Sequence, residues 1–124
     1  MRRIFTNSPF EKKIGYARAV VADGWVFVSG CTGLAPDGPD DQPVTDQCAE
    51  TLRRIEAALT EAGASLADVV RVNYILPKAA DFEACWPILR EAFGKAPPAA
   101  TMIEAGLIDP RMKIEIEVTA RLPS

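Results

Sequence analysis

The chain has 124 residues, 48% of them apolar and 25% charged, with a net charge of −3. That length suits one folded unit spanning 1–124, and the acidic balance argues against a nucleic-acid surface, which needs clustered Lys and Arg. Histidine is absent, so triads, metal sites and general bases that depend on it are excluded.

Taken in order, Arg3 to Phe5 reads as a short edge strand and Asn7-Ser8-Pro9 as a polar loop. Tyr16 to Val21 reads as a strand, turned by Asp23-Gly24 into the partner run Trp25 to Ser29. That second run is apolar on both faces, which predicts burial on both. Gly30 to Pro43 reads as a loop with an acidic tip at Asp37, Asp40 and Asp41. Cys48, Leu52, Ile55, Leu59 and Ala62 recur at spacings of four and three, which predicts a helix over 44–62 closed by Gly63. Ser65 to Asp68 resembles a capping box, and Val69 to Leu76 is a β-branched strand stopped by Pro77. A second helix lies within 81–93, with Phe82, Cys85, Leu89 and Phe93 inward and Gly94 closing it. Pro87 either starts the main part of that helix or kinks it. Ala99 to Glu104 and Lys113 to Arg121 are the closing strands, and the loop from Ala105 to Arg111 reads as a turn pairing them.

No apolar run approaches the roughly 20 residues of a membrane helix. The start lacks the apolar stretch of a secretory signal, so a cytoplasmic protein with no membrane partner is expected. Cys31, Cys48 and Cys85 are odd in number and widely spaced, which suits neither a disulfide framework nor a metal site. The element order predicts an α+β sandwich, one mostly antiparallel sheet with two helices on one face. Two helices leave the other face bare, and a symmetric homo-oligomer packed through it is the expected solution.

Strict alternation from Lys113 to Arg121 puts Ile114, Ile116, Val118 and Ala120 on one side and Glu115, Glu117 and Thr119 on the other. Glu115 is the leading chemical candidate, since a carboxylate can orient a hydrolytic water and take its proton. The competing reading is a solvated strand face. Tyr16 and Arg18, two apart on one predicted strand, share a side. Gly30 lets a ligand approach the backbone closely or simply turns the chain. Cys31 is a nucleophile or, more ordinarily, a packed thiol.

Ile14-Gly15-Tyr16, Val28-Ser29-Gly30, Leu59 to Gly63 with Ser65 and Asp68-Val69-Val70, Asp81-Phe82, Pro98-Ala99 and Lys113 to Glu117 occur in an order that resembles the Rid (YjgF) family over nearly the whole chain. The resemblance implies a chorismate-mutase-like fold and a homotrimer with small-molecule clefts between subunits. It also implies hydrolysis of imines and enamines without metal or cofactor. Glu115 then matches the cleft glutamate that positions water, and Tyr16 the cleft-lining tyrosine, with Ser29, Gly30 and Thr101 at the same site. Three positions depart from the pattern. Ala100 stands where imine deaminases of the family carry an arginine for the substrate carboxylate, Arg18 replaces a glutamine, and Cys31 replaces another. Arg18 is therefore a candidate substitute for the missing anion holder. The rival functions are a non-catalytic metabolite-binding trimer and, against the acidic charge, an endoribonuclease or translation inhibitor.

Overall fold

A computed structural model describes residues 1–124. Its strands are β1 (Arg2–Ile4), β2 (Ala19–Ala22), β3 (Trp25–Thr32), β4 (Val69–Leu76), β5 (Ala99–Glu104) and β6 (Glu115–Arg121). Helix α1 (Val44–Ala62) connects β3 to β4, and α2 (Phe82–Phe93) connects β4 to β5. The six strands form one sheet in the order β1-β2-β3-β6-β4-β5, antiparallel throughout except for the parallel pair β4 and β5. This is the α+β class expected.

The β2–β3 hairpin turns at Asp23 and Gly24, with φ of 52° and 83°. Both central residues thus take the positive φ of the tight turn that matches strand twist. Helix α1 forms where its apolar spacing predicts. Cys48, Leu52, Ile55, Leu59 and Ala62 are all buried, and Gly63 ends the helix in the left-handed region at φ 92°. Burying each of its Leu and Ile side chains contributes about 1.5–3 kcal/mol. They pack on Val26, Val28, Val72, Ile116, Val118 and Ala120 from the sheet, within one core of 23 buried residues. Ser65 and Asp68 do form a reciprocal capping box. Helix α2 runs unbroken through Pro87 from Phe82, and Gly94 closes it in a right-handed conformation.

Three expectations need correction. The closing strands do not pair with each other: β4 lies between β5 and β6, and β6 sits inside the sheet against β3 and β4. Alternation fixed which face β6 buries but says nothing about its neighbours. Strand β3 continues through Gly30 and Cys31 to Thr32, so the loop begins at 33, and a bulge between Val28 and Cys31 absorbs the glycine. The predicted first hairpin strand starts only at Ala19, because residues 11–15 form a short π-helical turn that leaves Tyr16 to Arg18 as a connector.

The helices cover one face. On the other, Trp25 is 38% exposed and Phe27 48% exposed, although Val26 and Val28, which alternate with them, are buried. The second apolar side of β3 is thus open in a single protomer, as expected where two helices cover only one face.

Candidate functional site

One end of the open sheet face gathers most of the expected residues. In the register of the sheet, Glu115 lies opposite Thr32 on β3 and Ile75 on β4. Its carboxylate rests over Gly30, where an added Cβ would come within 2.7 Å of Oε2. Gly30 is thus a close-approach glycine: the missing side chain is the space that Glu115 occupies. Ser29 anchors the bulge by donating from Oγ to the Ala17 carbonyl at 2.7 Å.

Arg18 enters this group from the connector. Its backbone N–H donates to the Ile4 carbonyl at 2.8 Å, and its own carbonyl accepts from Ser29 N–H at 2.9 Å. It therefore continues the ladder although it lies outside β2. Its guanidinium sits 5.7 Å from the Tyr16 ring centroid, a cation–π distance. Nη1 donates to the Gly30 carbonyl at 3.0 Å and to Cys31 Sγ at 3.2 Å. Nε lies 3.8 Å from Oε2 of Glu11, a buried carboxylate.

Glu11 is a participant that sequence reasoning missed. Its oxygens accept from Thr6 N at 2.9 Å and Thr6 Oγ1 at 2.6 Å. A signal was present, since Ser8-Pro9-Phe10-Glu11 has the spacing of a helix start with Pro at its first position, although the turn forms without a side-chain cap and the Glu11 carboxylate reaches Thr6 instead.

Burial raises the Glu115 carboxyl above its ordinary range, and neighbouring Glu117 adds to the effect while Arg18 opposes it. Glu117 receives the Asn73 amide at 3.0 Å, whereas Glu115 has no hydrogen-bond partner in the protomer. Beside them, a shallow depression of about 180 Å³ is lined by Phe27, Arg71, Asn73, Glu117 and Thr119. Burial likewise pushes the Cys31 thiol up, against the pull of Arg18. Cys31 is therefore held as a neutral thiol, which is unsuited to nucleophilic attack. No three His, Cys, Asp or Glu side chains converge as a metal site.

Gln47 fixes the approach to Glu115. Fully buried on α1, it donates to the carbonyls of Gln42 (3.1 Å) and Arg111 (3.0 Å) and accepts from Lys113 N–H at 2.9 Å. One amide thus ties the loop after β3 to the chain entering β6. Ala100 and Thr101 lie elsewhere. They are exposed on β5, level with Val72 and Asn73, and β4 separates them from β6. Thr101 Oγ1 accepts from Arg71 Nη2 at 2.6 Å. Within one protomer neither reaches the Glu115 group.

The raised Glu115 carboxyl has a consequence for stability. A carboxyl that binds its proton more tightly when folded favours the native state below the ordinary value of 4.5 and weakens it as pH climbs through the raised folded value. Glu115→Gln is accordingly expected to raise the melting temperature at pH 7 and to have no such effect near pH 4. Melting curves at both pH values check this; a lower melting temperature at pH 7 would contradict it.

A family model described as Endoribonuclease L-PSP matches residues 6–122. The chain belongs to this family. Among its relatives is a RutC family protein of Pyrococcus abyssi, 32% identical over 120 residues that cover 94% of each chain. Another, from Capra hircus, is named 2-iminobutanoate/2-iminopropanoate deaminase; it is 27% identical, with 97% of this chain and 90% of that protein covered. A solved structure of a YjgF/YER057c/UK114 family member from Mycobacterium tuberculosis superimposes with a TM-score of 0.89 at 37% identity, covering 98% of both chains. The family resemblance read from the sequence, and the sheet with two helices on one face, are those of these L-PSP (YjgF) proteins.

Proposed function

We propose that this L-PSP family protein hydrolyses the C=N bond of a small imine or enamine tautomer, with Glu115 as the group that handles water. The observation that carries the reading is a half-buried carboxylate, without a hydrogen-bond partner and with a raised proton affinity, held over the backbone at Gly30. A base tuned toward the working pH is what such a step needs. Glu115 takes a proton from water as the oxygen attacks the imine carbon. It returns that proton to nitrogen, giving the carbinolamine, and then carries the hydroxyl proton to nitrogen as well, so that the C–N bond breaks while the carbonyl forms and ammonia leaves. Deaminase names among the relatives support this chemistry. Tyr16, Arg18, Ser29 and Gly30 shape the cleft, with Cys31 packed behind; Ala100 and Thr101 enter it from a neighbouring copy. Neither a metal nor a cofactor takes part. An endoribonuclease role gains little from a chain whose net charge is −3.

The test is ammonia release from freshly generated imines. Wild-type activity should fall about 10²–10⁴-fold in Glu115→Ala, the range for losing a general base. Activity retained in that variant would sink the role of Glu115, and no hydrolysis of any imine would sink the enzyme reading.

We further propose that the open face is closed by a symmetric homotrimer. Trp25, Phe27 and Ile103 leave an apolar face unusual for a lone protomer. Phe27→Asp puts a charge into that contact and should yield monomers by light scattering at concentrations where the wild type is trimeric. A monomeric wild type overturns the assembly.

A further inference from the structure

Tyr74 carries a polar group that nothing in the chain bonds. The side chain is 6% exposed, on the helix-covered side of β4, and packs on Phe82 with ring centroids 5.1 Å apart. A tyrosine so buried usually gives its hydroxyl a partner. Every fully enclosed side-chain polar atom of the chain has one. The Tyr74 hydroxyl, which makes no hydrogen bond in the protomer, therefore opens into the groove that the residue lines beside α2. Burial pushes its pKa up to about 12, so it stays protonated and is a donor at neutral pH.

That groove has a volume of about 270 Å³ and lies between α2 and the chain leading into β5. Phe82 sits between Tyr74 and Trp86, whose ring meets it edge-on at 6.3 Å and 86°. Phe93 and Pro97 complete the apolar lining. Trp86 is 50% exposed, so an aromatic face braced by its neighbour is left in water. Arg90 is the one charged side chain on the lining, one helical turn beyond Trp86. It is exposed, and its guanidinium has neither an ion pair nor a hydrogen bond. The Glu115 group lies on the other side of the sheet: Ile75, next to Tyr74 in β4, is the residue level with Glu115. Hydrolysis at Glu115 calls on none of Tyr74, Trp86 and Arg90.

We propose that this groove is a second ligand site, for a small aromatic carboxylate. Its rings offer a planar ligand offset or edge-on contact. The Arg90 guanidinium supplies the charge an acid group seeks, and the Tyr74 hydroxyl donates from the enclosed side. A mostly apolar pocket with a few fixed polar groups is the usual form of a small-molecule site. A cation meets like charge at Arg90, a neutral ligand leaves the guanidinium unanswered, and an aliphatic acid forgoes the aromatic contacts. The site stands whether or not Glu115 hydrolyses imines.

Phenylacetate, phenylacetamide, phenethylammonium and cyclohexylacetate separate charge from aromaticity. Each is titrated into the full chain at pH 7.5 and followed by the Trp86 indole N–H and the α2 amides, with Gly30 and Glu115 reporting on the other face. Phenylacetate should saturate the α2 signals and bind at least about tenfold more tightly than phenylacetamide, a difference of about 1.4 kcal/mol. Phenethylammonium and cyclohexylacetate should both bind more weakly than phenylacetate, and added salt should weaken the acid. Arg90→Gln, at an exposed position, should keep the melting temperature and bring phenylacetate down to the level of the amide. Tyr74→Phe should weaken phenylacetate while keeping the ring, and Glu115→Ala should leave its binding unchanged. Equal binding of acid and amide overturns the proposal, as do shifts confined to Gly30 and Glu115 or full affinity in Arg90→Gln. It is overturned too if none of the four gives a saturable shift, the result expected where a neighbouring copy fills the groove.

Discussion

Gly33→Ala is expected to lower the melting temperature by roughly 10 °C or more, a loss of about 3 kcal/mol. The chain leaves β3 here and passes directly under α1. A Cβ at this position would fall on the carbonyl oxygen of Gln47, with the Gln47 carbonyl carbon at 2.7 Å and Thr51 Oγ1 at 2.8 Å. Rotating a side chain brings no relief, because the obstacle is helix backbone. The same carbonyl already accepts from Thr51 Oγ1 at 2.7 Å, and the Gln47 amide ties two loops together. Shifting α1 outward would loosen all of these at once, and with them the entry to β6. Thermal unfolding followed by circular dichroism checks the expectation; a melting temperature within about 2 °C of wild type would show that α1 yields more readily than its bonds imply.

Gly30→Ala should behave in the opposite way, keeping the fold and losing the function. The three atoms nearest its added Cβ all belong to the Glu115 side chain, at 2.7 Å (Oε2), 2.8 Å (Cδ) and 3.1 Å (Cγ). A glutamate can swing aside, and Gly30 does not have a positive φ. The stability cost should therefore stay below about 1 kcal/mol, within the range of tolerated small changes. The displaced carboxylate, however, no longer stands where it held water, and a misplacement near 1 Å costs roughly 10²-fold in rate. Measuring kcat/KM and melting temperature on one preparation decides the matter. A variant that hydrolyses imines at the wild-type rate would mean that Glu115 works from another rotamer or does not work at all.

The two helices, β4 and the Asp23-Gly24 hairpin were legible because each carries a local pattern: a 3.6-residue stripe, a β-branched run, a turn dipeptide. Glu115 was legible as well, since alternation placed it on the polar side of β6. What escaped was set by partners distant in sequence. The position of β6 between β3 and β4 follows from sheet assembly, which alternation cannot encode. The bulge that carries β3 past Gly30 resembles a strand end, because a glycine serves both equally well. Glu11 beside Lys12 and Lys13 looks like a solvated charge run, and its burial depends on Thr6 and Arg18 closing over it. Arg18 lies beside Glu115 in the fold, but no spacing rule could show that its Nη1 is bound to Gly30 and Cys31.

Placing β6 in the middle of the sheet also constrains how the chain reaches its native state. Strands β1, β2 and β3 form one block and β4 with β5 another, and β6 is the seam between them. The seam aligns Trp25 with Arg121, residues separated by most of the chain. Such distant pairing makes for slow folding, because the entropy of closing a long loop is lost before its contacts form. On the ribosome the two blocks emerge first and wait with open edges, so the final strand acts as the latch that turns two half-sheets into one.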